Sequence, residues 1–420
     1  MGGRGFLVLL AAGRGERLRP LTETRPKSLL PILGEPLICR HLRLSLSRGS
    51  YDGVIVVASY MLDSIREALL ECGFGDVKVL DQGGEFGTGH AILKAMDHGG
   101  PGDYTIIYSD IYMAPEGYDI LASLEPPGVI AARVDRPWEY GVLEVRDGKV
   151  VRVVEKPQPG EAAGGALVFA GALKLTWDSL GDFKGLKPSP RGELEATDAL
   201  NSLSSRVDVN VVEVPGGLWL DVGRPWELLL ANRMAFEREL EGSVRGVVSE
   251  SSTLEGRVYV GEGAVVKAYT VIEGPAYIGP GVSVGPHAHI RPYTVLLEKS
   301  HVGAFTQVKA SILMEDSKAP HLNYVGDSIV GEHVNLGAGT ITANYRFDEA
   351  TVKVTVKGAR VDSGLRKLGA VIGGYVKTGI NVSIMPGVKI GSRAWIWPGC
   401  VVYRDVEPGE KFNCWRGLWA

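Results

Sequence analysis

Hydrophobic positions recur along this chain with two different periods. In the first half, short β-branched runs alternate with longer amphipathic stretches, at 6–11, 39–48, 54–58, 62–72 and 77–80. Apolar runs of strand length separated by helical periodicity are the mark of βαβ units. Further strand candidates at 104–108, 129–134, 142–145, 150–154 and 209–214 make residues 1–230 read as a Rossmann-like α/β layer fold with a largely parallel sheet. A closing helix is expected over 228–241, with residues 231–246 as the linker that contains its end.

From Val248 the period becomes six. Val248, Leu254, Val260, Val266, Ile272, Ile278, Val284, Ile290, Leu296, Val302 and Val308 follow one another in steps of six residues. The frame reappears at Val330 and Leu336, and again at Ile372, Thr378, Ile384, Ile390, Ile396 and Val402. Neither an α-helix nor a flat strand has that period. A parallel β-helix does, because each six-residue unit is one short strand plus one turn, with its aliphatic side chain pointing into a narrow prism. Residues 247–420 are therefore expected to form such a prism, with loops leaving it at 311–323 and 344–368. Glycine follows the core position at 279, 285, 303, 331, 337, 373 and 391, where turns need positive φ or close backbone approach.

Composition sharpens this division. Glycine accounts for 56 of 420 residues, nearly twice the usual share of about 7%, and the prism explains the excess. Net charge is −4 with no block of like charges, which argues against nucleic acid or an anionic membrane surface as partner. The longest purely apolar run, 6–12, falls far short of the roughly 20 residues that span a bilayer. Arg4 before that run gives the N-terminus a superficial likeness to a signal peptide, but Gly13-Arg14-Gly15-Glu16-Arg17 follows where cleavage would occur. The four cysteines show no CxxC spacing. That spacing argues against zinc or a disulfide framework and fits a reducing cytoplasm.

Candidate chemistry in the first half begins directly after the first strand. Ala11-Ala12-Gly13-Arg14-Gly15-Glu16-Arg17-Leu18-Arg19-Pro20-Leu21-Thr22 precedes Arg25-Pro26-Lys27. A Gly-rich turn there brings backbone N–H groups against phosphates, and Arg17 and Lys27 supply positive charge. The string is neither a P-loop nor a dinucleotide-binding GxGxxG. It closely resembles the signature of sugar-1-phosphate nucleotidylyltransferases, and further matches follow in order. By this resemblance Ala11, Ala12, Gly13, Gly15, Gln82, Gly87 and Thr88 bind the nucleotide, Gly141 and Glu155 the sugar, and Asp110 and Asp221 a catalytic Mg²⁺. Mg²⁺ suits such a site, since it takes few carboxylates and completes its shell with phosphate oxygens and water. The reaction implied is in-line attack of a sugar-1-phosphate on the α-phosphate of UTP or dTTP, with Lys27 and Arg17 balancing charge as pyrophosphate leaves. Ala163 stands where N-acetylglucosamine-specific members carry Asn.

The prism carries a second motif. Ser317-Lys318-Ala319-Pro320-His321-Leu322-Asn323-Tyr324 leads through Asn335-Leu336-Gly337-Ala338-Gly339 to Asn344-Tyr345. This resembles the acetyltransferase site of the bifunctional N-acetylglucosamine-1-phosphate uridylyltransferase/glucosamine-1-phosphate acetyltransferase family, in an archaeal-like form. Hexapeptide repeats resemble those of left-handed β-helix proteins, many of them trimeric acyltransferases with active sites between neighbouring prisms. The resemblance implies a homotrimer, or a multiple of trimers, that uses acetyl-CoA. It makes His321 the general base, a role suited to an imidazole that titrates near neutrality. Asn344 orients the site, and the Ala338 backbone N–H meets the oxyanion. Arg291, Lys309, Tyr324, Asn335, Tyr345 and Lys367 hold the amino-sugar phosphate of glucosamine-1-phosphate or galactosamine-1-phosphate. Ile380 stands where bacterial members place a serine against acetyl-CoA, and 346–369 is longer than the bacterial segment. His287, His289 and His301 do not match the zinc spacing of β-helix enzymes. Two other readings stay open at this point: a nucleotidylyltransferase whose prism only assembles it, as in glucose-1-phosphate or mannose-1-phosphate enzymes, and a catalytically inactive regulatory subunit.

Overall fold

The computed structural model describes residues 5–84, 86–190 and 192–415; Arg4 and the chain beyond 415 lie outside the described residues. The chain divides into two compact units. One comprises Met1–Arg14, Pro26–Leu30 and Pro36–Asp221; the other comprises Gly15–Arg25, Pro31–Glu35 and Val222–Ala420.

The first unit is built on a nine-stranded sheet whose central runs, as in Gly5–Ala11 and Asp103–Tyr108, are buried on both faces. Gly5–Ala11 lies between Gly53–Ala58 and Asp103–Tyr108, parallel to both, and Lys78–Asp81 extends this parallel part outward. The sheet is mixed rather than largely parallel. Ala166–Thr176 runs antiparallel to both Asp103–Tyr108 and Gly128–Val134, and Gly141–Arg146 and Lys149–Glu155 form an antiparallel pair at the edge. A sequence of β-branched runs specifies strands but not direction, because both directions bury the same side chains. A separate two-stranded ribbon pairs Trp219–Asp221 with Ile111–Met113 and sets Asp221 across from Ile111.

In the second unit the helix spans Pro225–Arg238, three residues earlier than the apolar pattern suggested. Proline at the first helical position is preorganised for that start. The first prism strand, Ser243–Val244, already lies within the expected linker. Two prism faces are continuous eight-stranded parallel sheets, and the third has five strands and then three. Isolated bridges Lys318↔Asn335 and Asn335↔Lys377 join those two parts. Val260 pairs with Ile278 and Ile278 with Leu296, one full rung of 18 residues each. The period-six side chains line one buried core.

The expected loop at 311–323 does not leave the prism. Ile312–Leu313 and Lys318–His321 continue two faces in parallel register, with Val295↔Ile312 and His301↔Lys318. The rung is one residue shorter there, so the core frame runs Val308, Leu313, Ala319, Val325, Val330. A shifted frame reads as an interruption in a strict count of six. The second insertion does leave: Lys353–Val356 and Ala359–Asp362 form an antiparallel hairpin, whose Val352, Val354 and Val356 pack with Leu368 against Trp226.

Glycine in the prism serves mostly close approach. A Cβ on Gly303 would lie 1.8 Å from the Pro320 carbonyl oxygen of the next rung. The left-handed corners are shared between glycines such as Gly263 and Gly281, with φ of 69 and 64°, and other residues, Tyr269, His287, Phe305 and Leu322 among them, with φ between 53 and 58°.

The cysteine reading is corrected. Cys39 pairs with Cys72 and Cys400 with Cys414 as disulfides, with Cα atoms 6.2 and 5.5 Å apart, both in the normal range. Separations of 33 and 14 residues carry no spacing signature, so the pairing exists only in three dimensions. Two outcomes are expected. Thiol titration of the denatured, unreduced protein detects essentially no free thiol, and four appear after reduction. Gly303→Ala destabilises the prism by about 1–3 kcal/mol, the usual cost of overpacking, read as a lowered denaturation midpoint.

Candidate active sites

In the first unit the strand ends collect the nucleotidylyl residues. The chain leaves Gly5–Ala11 through Ala12 and Gly13, and a Cβ on Gly13 would lie 3.8 Å from Cε of Lys27. The Lys27 ammonium contacts the Asp110 carboxylate. The Ile111–Asp221 pairing sets Asp221 across from the residue that follows Asp110. A lysine ammonium on Asp110 shows that this carboxylate accepts a cation. Among the described residues no cluster of three or more His, Cys, Asp or Glu could hold a metal. Two carboxylates suit an ion that takes few protein ligands and completes its shell with phosphate oxygens and water.

Gln82, buried, donates its amide to the Gly87 carbonyl at 2.9 Å. Gly87 starts the helix Thr88–Gly99 with φ of +86°, and a Cβ there would lie 2.5 Å from the Leu194 carbonyl oxygen. Only glycine combines that dihedral with that approach. Thr88 accepts the Ala196 N–H at 3.1 Å and also bonds Tyr108, whose phenol burial pushes far up. Gly141 pairs with Glu155 across the edge strands. A Cβ on Gly141 would come within 3.1 Å of the Glu155 carboxylate, so the missing side chain leaves that carboxylate room. Gly15 and Arg17 belong to the other compact unit, with Arg17 in the short 3₁₀ turn Glu16–Leu18.

On the prism, Lys309 donates to both oxygens of Asp327, at 3.2 and 3.1 Å. Asn344 donates to the same carboxylate and to the Tyr324 hydroxyl, the latter at 3.2 Å. Arg291 stands one rung below Lys309, its N–H bonded to the Val308 carbonyl. Gly326 sits beside this network, and a Cβ there would lie 2.6 Å from the Tyr324 hydroxyl oxygen. Tyr345 bridges Lys367 in antiparallel register, and the Lys367 ammonium lies 6.0 Å from the Tyr345 ring centroid. The inserted hairpin thus returns the chain beside Tyr345.

His321 ends the strand Lys318–His321, exposed, with its N–H held at 3.0 Å by the Asn323 side chain. Its carbonyl accepts the Gly339 N–H at 3.1 Å, and the Ala338 carbonyl accepts the Asn381 N–H at 2.7 Å. The Ala338 turn is thereby tied to His321 on one side and to the next rung on the other. Asn335 lies on the face of Lys318 and Lys377, separate from the Lys309 network. His301, beneath Lys318 on that face, is held below its ordinary pKa by burial and by neighbouring Lys267, His321 and Lys318, against a hydrogen bond to the Ser283 carbonyl. His289 bonds Glu273 and Gln307, and His287 stacks between Tyr269 and Phe305. Both histidines are thus engaged in side-chain contacts.

Residues 7–238 match the Nucleotidyl transferase family, 272–368 the GMPPB C-terminal domain, and 369–404 the Bacterial transferase hexapeptide (six repeats). The chain is 43% identical over 411 residues to the Bifunctional sugar-1-phosphate nucleotidylyltransferase/acetyltransferase of Sulfurisphaera tokodaii, covering 96% of this chain and 99% of the relative. It belongs to the bifunctional sugar-1-phosphate nucleotidylyltransferase/acetyltransferase family. The Bifunctional protein GlmU of Methanocaldococcus jannaschii is 41% identical over 401 residues, 95% of each chain. The Paraburkholderia phymatum protein of the same name is 29% identical over 461 aligned positions, 96% of this chain and 94% of that one. As a member of this family the chain is an enzyme with a nucleotidyl transferase domain followed by a hexapeptide transferase domain.

Asp327, which accepts from both Lys309 and Asn344, has no role in the sequence reading. It stood inside the quoted motif region, and only the fold shows Lys309 and Asn344 converging on it. Hydrogen bonds to charged groups contribute about 1.5–3 kcal/mol, roughly ten- to a hundredfold in a rate or affinity. Asp327→Asn is expected to lower kcat/KM of acetyl transfer by about that factor while pyrophosphate release stays unchanged, both measured on one preparation.

Proposed function

We propose that this enzyme N-acetylates glucosamine-1-phosphate or galactosamine-1-phosphate with acetyl-CoA, and transfers a nucleotidyl group from UTP or dTTP to a sugar-1-phosphate such as N-acetylglucosamine-1-phosphate. The observation that carries this is the coexistence, on one family chain, of the Lys27–Asp110–Asp221 constellation and the His321–Ala338 turn with its nearby cation network. Asp110 and Asp221 would hold Mg²⁺, which would supply charge neutralisation at the phosphates. Lys27 and Arg17 balance the charge of the departing pyrophosphate. Ala11, Ala12, Gly13 and Gly15 offer backbone to the phosphates, Gln82, Gly87 and Thr88 bind the nucleotide, and Gly141 and Glu155 receive the sugar.

At the prism site the amine nitrogen attacks the thioester carbonyl carbon. The new N–C bond forms as the C–S bond breaks, and His321 takes the amine proton and returns it to the leaving thiolate. The Ala338 N–H meets the oxyanion, while Asn344 orients the site through its bond to Tyr324. Arg291, Lys309, Tyr324, Tyr345, Lys367 and Asn335 hold the phosphate-bearing sugar. Asn335 stands on another face from the Lys309 network, which supports a site completed by a second copy of the chain and hence a homotrimer or a multiple of trimers. The exposed corner column of Tyr269, Phe305 and Leu322, each 60–65% exposed, supports apolar contact between copies.

No helix among the described residues is long and apolar enough to cross a membrane. Nucleoside triphosphate and acetyl-CoA as co-substrates support a cytoplasmic enzyme.

Thiol release from acetyl-CoA with each amino-sugar phosphate tests this reading, alongside Mg²⁺-dependent pyrophosphate release with UTP and dTTP. His321→Ala is expected to lower thiol release by roughly 10²–10⁴-fold and leave pyrophosphate release intact. Wild-type enzyme that releases no thiol with either amino sugar refutes the acetyltransferase assignment.

A further inference from the structure

The segment that carries Arg17 and leads into Lys27 is fastened to the prism at three places. Gly15–Arg25 belongs to the prism's compact unit. Lys357, in the turn of the inserted hairpin, meets Glu16 at 2.7 Å. Ser392 donates its N–H to the Glu23 carboxylate at 2.7 Å and its hydroxyl to the Pro20 carbonyl at 3.3 Å. The Arg25 guanidinium reaches Glu315 at 2.7 Å and Glu332 at 3.0 Å. These two carboxylates stand on adjacent rungs, since Leu313 pairs with Val330.

The three fastenings differ in weight. Lys357 and Glu16 are 59% and 45% exposed, so water screens that pair and it holds little. Arg25 is 14% exposed and Glu332 9%, so theirs is the buried pair, whereas Glu315 is 42% exposed and its contact is partly screened. Burial disfavours the Arg25 cation, yet the two carboxylates outweigh it and keep the guanidinium charged. Removing one member of a buried ionic group leaves an uncompensated charge. Pro26 follows with φ of −61°; its ring fixes its own dihedral and limits that of Arg25. Only this stiff dipeptide separates the anchored guanidinium from Lys27.

We propose that Arg25, Glu315 and Glu332 are positioning residues for nucleotidylyl transfer: the two carboxylates hold Arg25 and thereby set the backbone that leads through Pro26 into Lys27. This rests on assigning the phosphate chemistry to Lys27 and Arg17. The chemistry is demanding of such support, because a misplacement of about 1 Å can cost on the order of 10² in rate.

The test uses full-length Arg25→Met and Arg25→Lys, with pyrophosphate release and acetyl-CoA thiol release measured on the same preparation. Arg25→Met is expected to lower kcat of pyrophosphate release by about 10–100-fold, with thiol release within about twofold of wild type. Arg25→Lys, which keeps a charge for one carboxylate, recovers part of the loss. Glu315→Gln and Glu332→Gln, equal in size to the native residues, reproduce the loss and provide the test should Arg25→Met fail to fold. Pyrophosphate release within about twofold of wild type in these variants overturns the proposal. A parallel fall of both activities in every variant also overturns it, since that marks general destabilisation. Wild-type enzyme that releases thiol but no pyrophosphate refutes the Lys27 assignment itself, and the positioning role with it.

Discussion

Everything in the C-terminal half depends on closing one rung and hydrogen-bonding it in parallel to the next, at the strand spacing of about 4.8 Å. That spacing leaves no freedom in where a side chain can stand. Inward positions must be aliphatic and recur every sixth residue, as Val260, Val266 and Ile272 do at essentially zero exposure. Outward positions stack on their counterparts one rung away, which is why Tyr259 lies over Tyr277 with ring centroids 4.9 Å apart. Positions where one backbone crosses close above another must be glycine, as at Gly303. A chain built this way offers columns of side chains at fixed spacing, and a phosphate-bearing substrate can be met by such a column without mobile loops.

The first unit solves the same problem by a different route. Its central parallel strands end together, and the residues that follow them fall at one edge. Ala12 and Gly13 follow the strand Gly5–Ala11, and Ser109 and Asp110 follow Asp103–Tyr108. Asp221 comes from the separate ribbon, so its place opposite Ile111 depends on one antiparallel pairing rather than on the main sheet.

The inward period and the strand-ending motifs were legible because each is a local property of the chain. Strand direction was not, since Ala166–Thr176 buries the same residues whether it runs parallel or antiparallel. The disulfides were illegible for a related reason: Cys39 and Cys72 meet only because the helix Leu37–Leu46 packs near the end of Leu62–Glu71. Asp327 was hidden by ambiguity of another kind, as an aspartate at a turn ordinarily caps or solvates. Its partnership with Lys309 exists only when rungs stack, 18 residues apart in the chain.

The shortened rungs show how this architecture accommodates a site without losing its core. From Ile290 to Leu296 the corner takes six steps, whereas from Val308 to Leu313 and from Val325 to Val330 it takes five. The tighter corner is closed by serine. The Ser311 hydroxyl donates to the Lys309 carbonyl at 2.7 Å and accepts the Ser328 N–H at 3.0 Å. The Ser328 hydroxyl in turn donates to the Gly326 carbonyl at 2.7 Å and accepts the Ala370 N–H at 3.0 Å. These buried hydroxyls stand in for main-chain partners that a missing residue would have supplied. Lys309 and Asp327 sit at this corner, Ala310 and Asp327 both in the left-handed region with φ of 46 and 48°. The loss of one residue therefore coincides with the place where charged side chains gather. The core keeps its aliphatic frame because only the turn was shortened, and the turn keeps its shape because serine satisfies it from within.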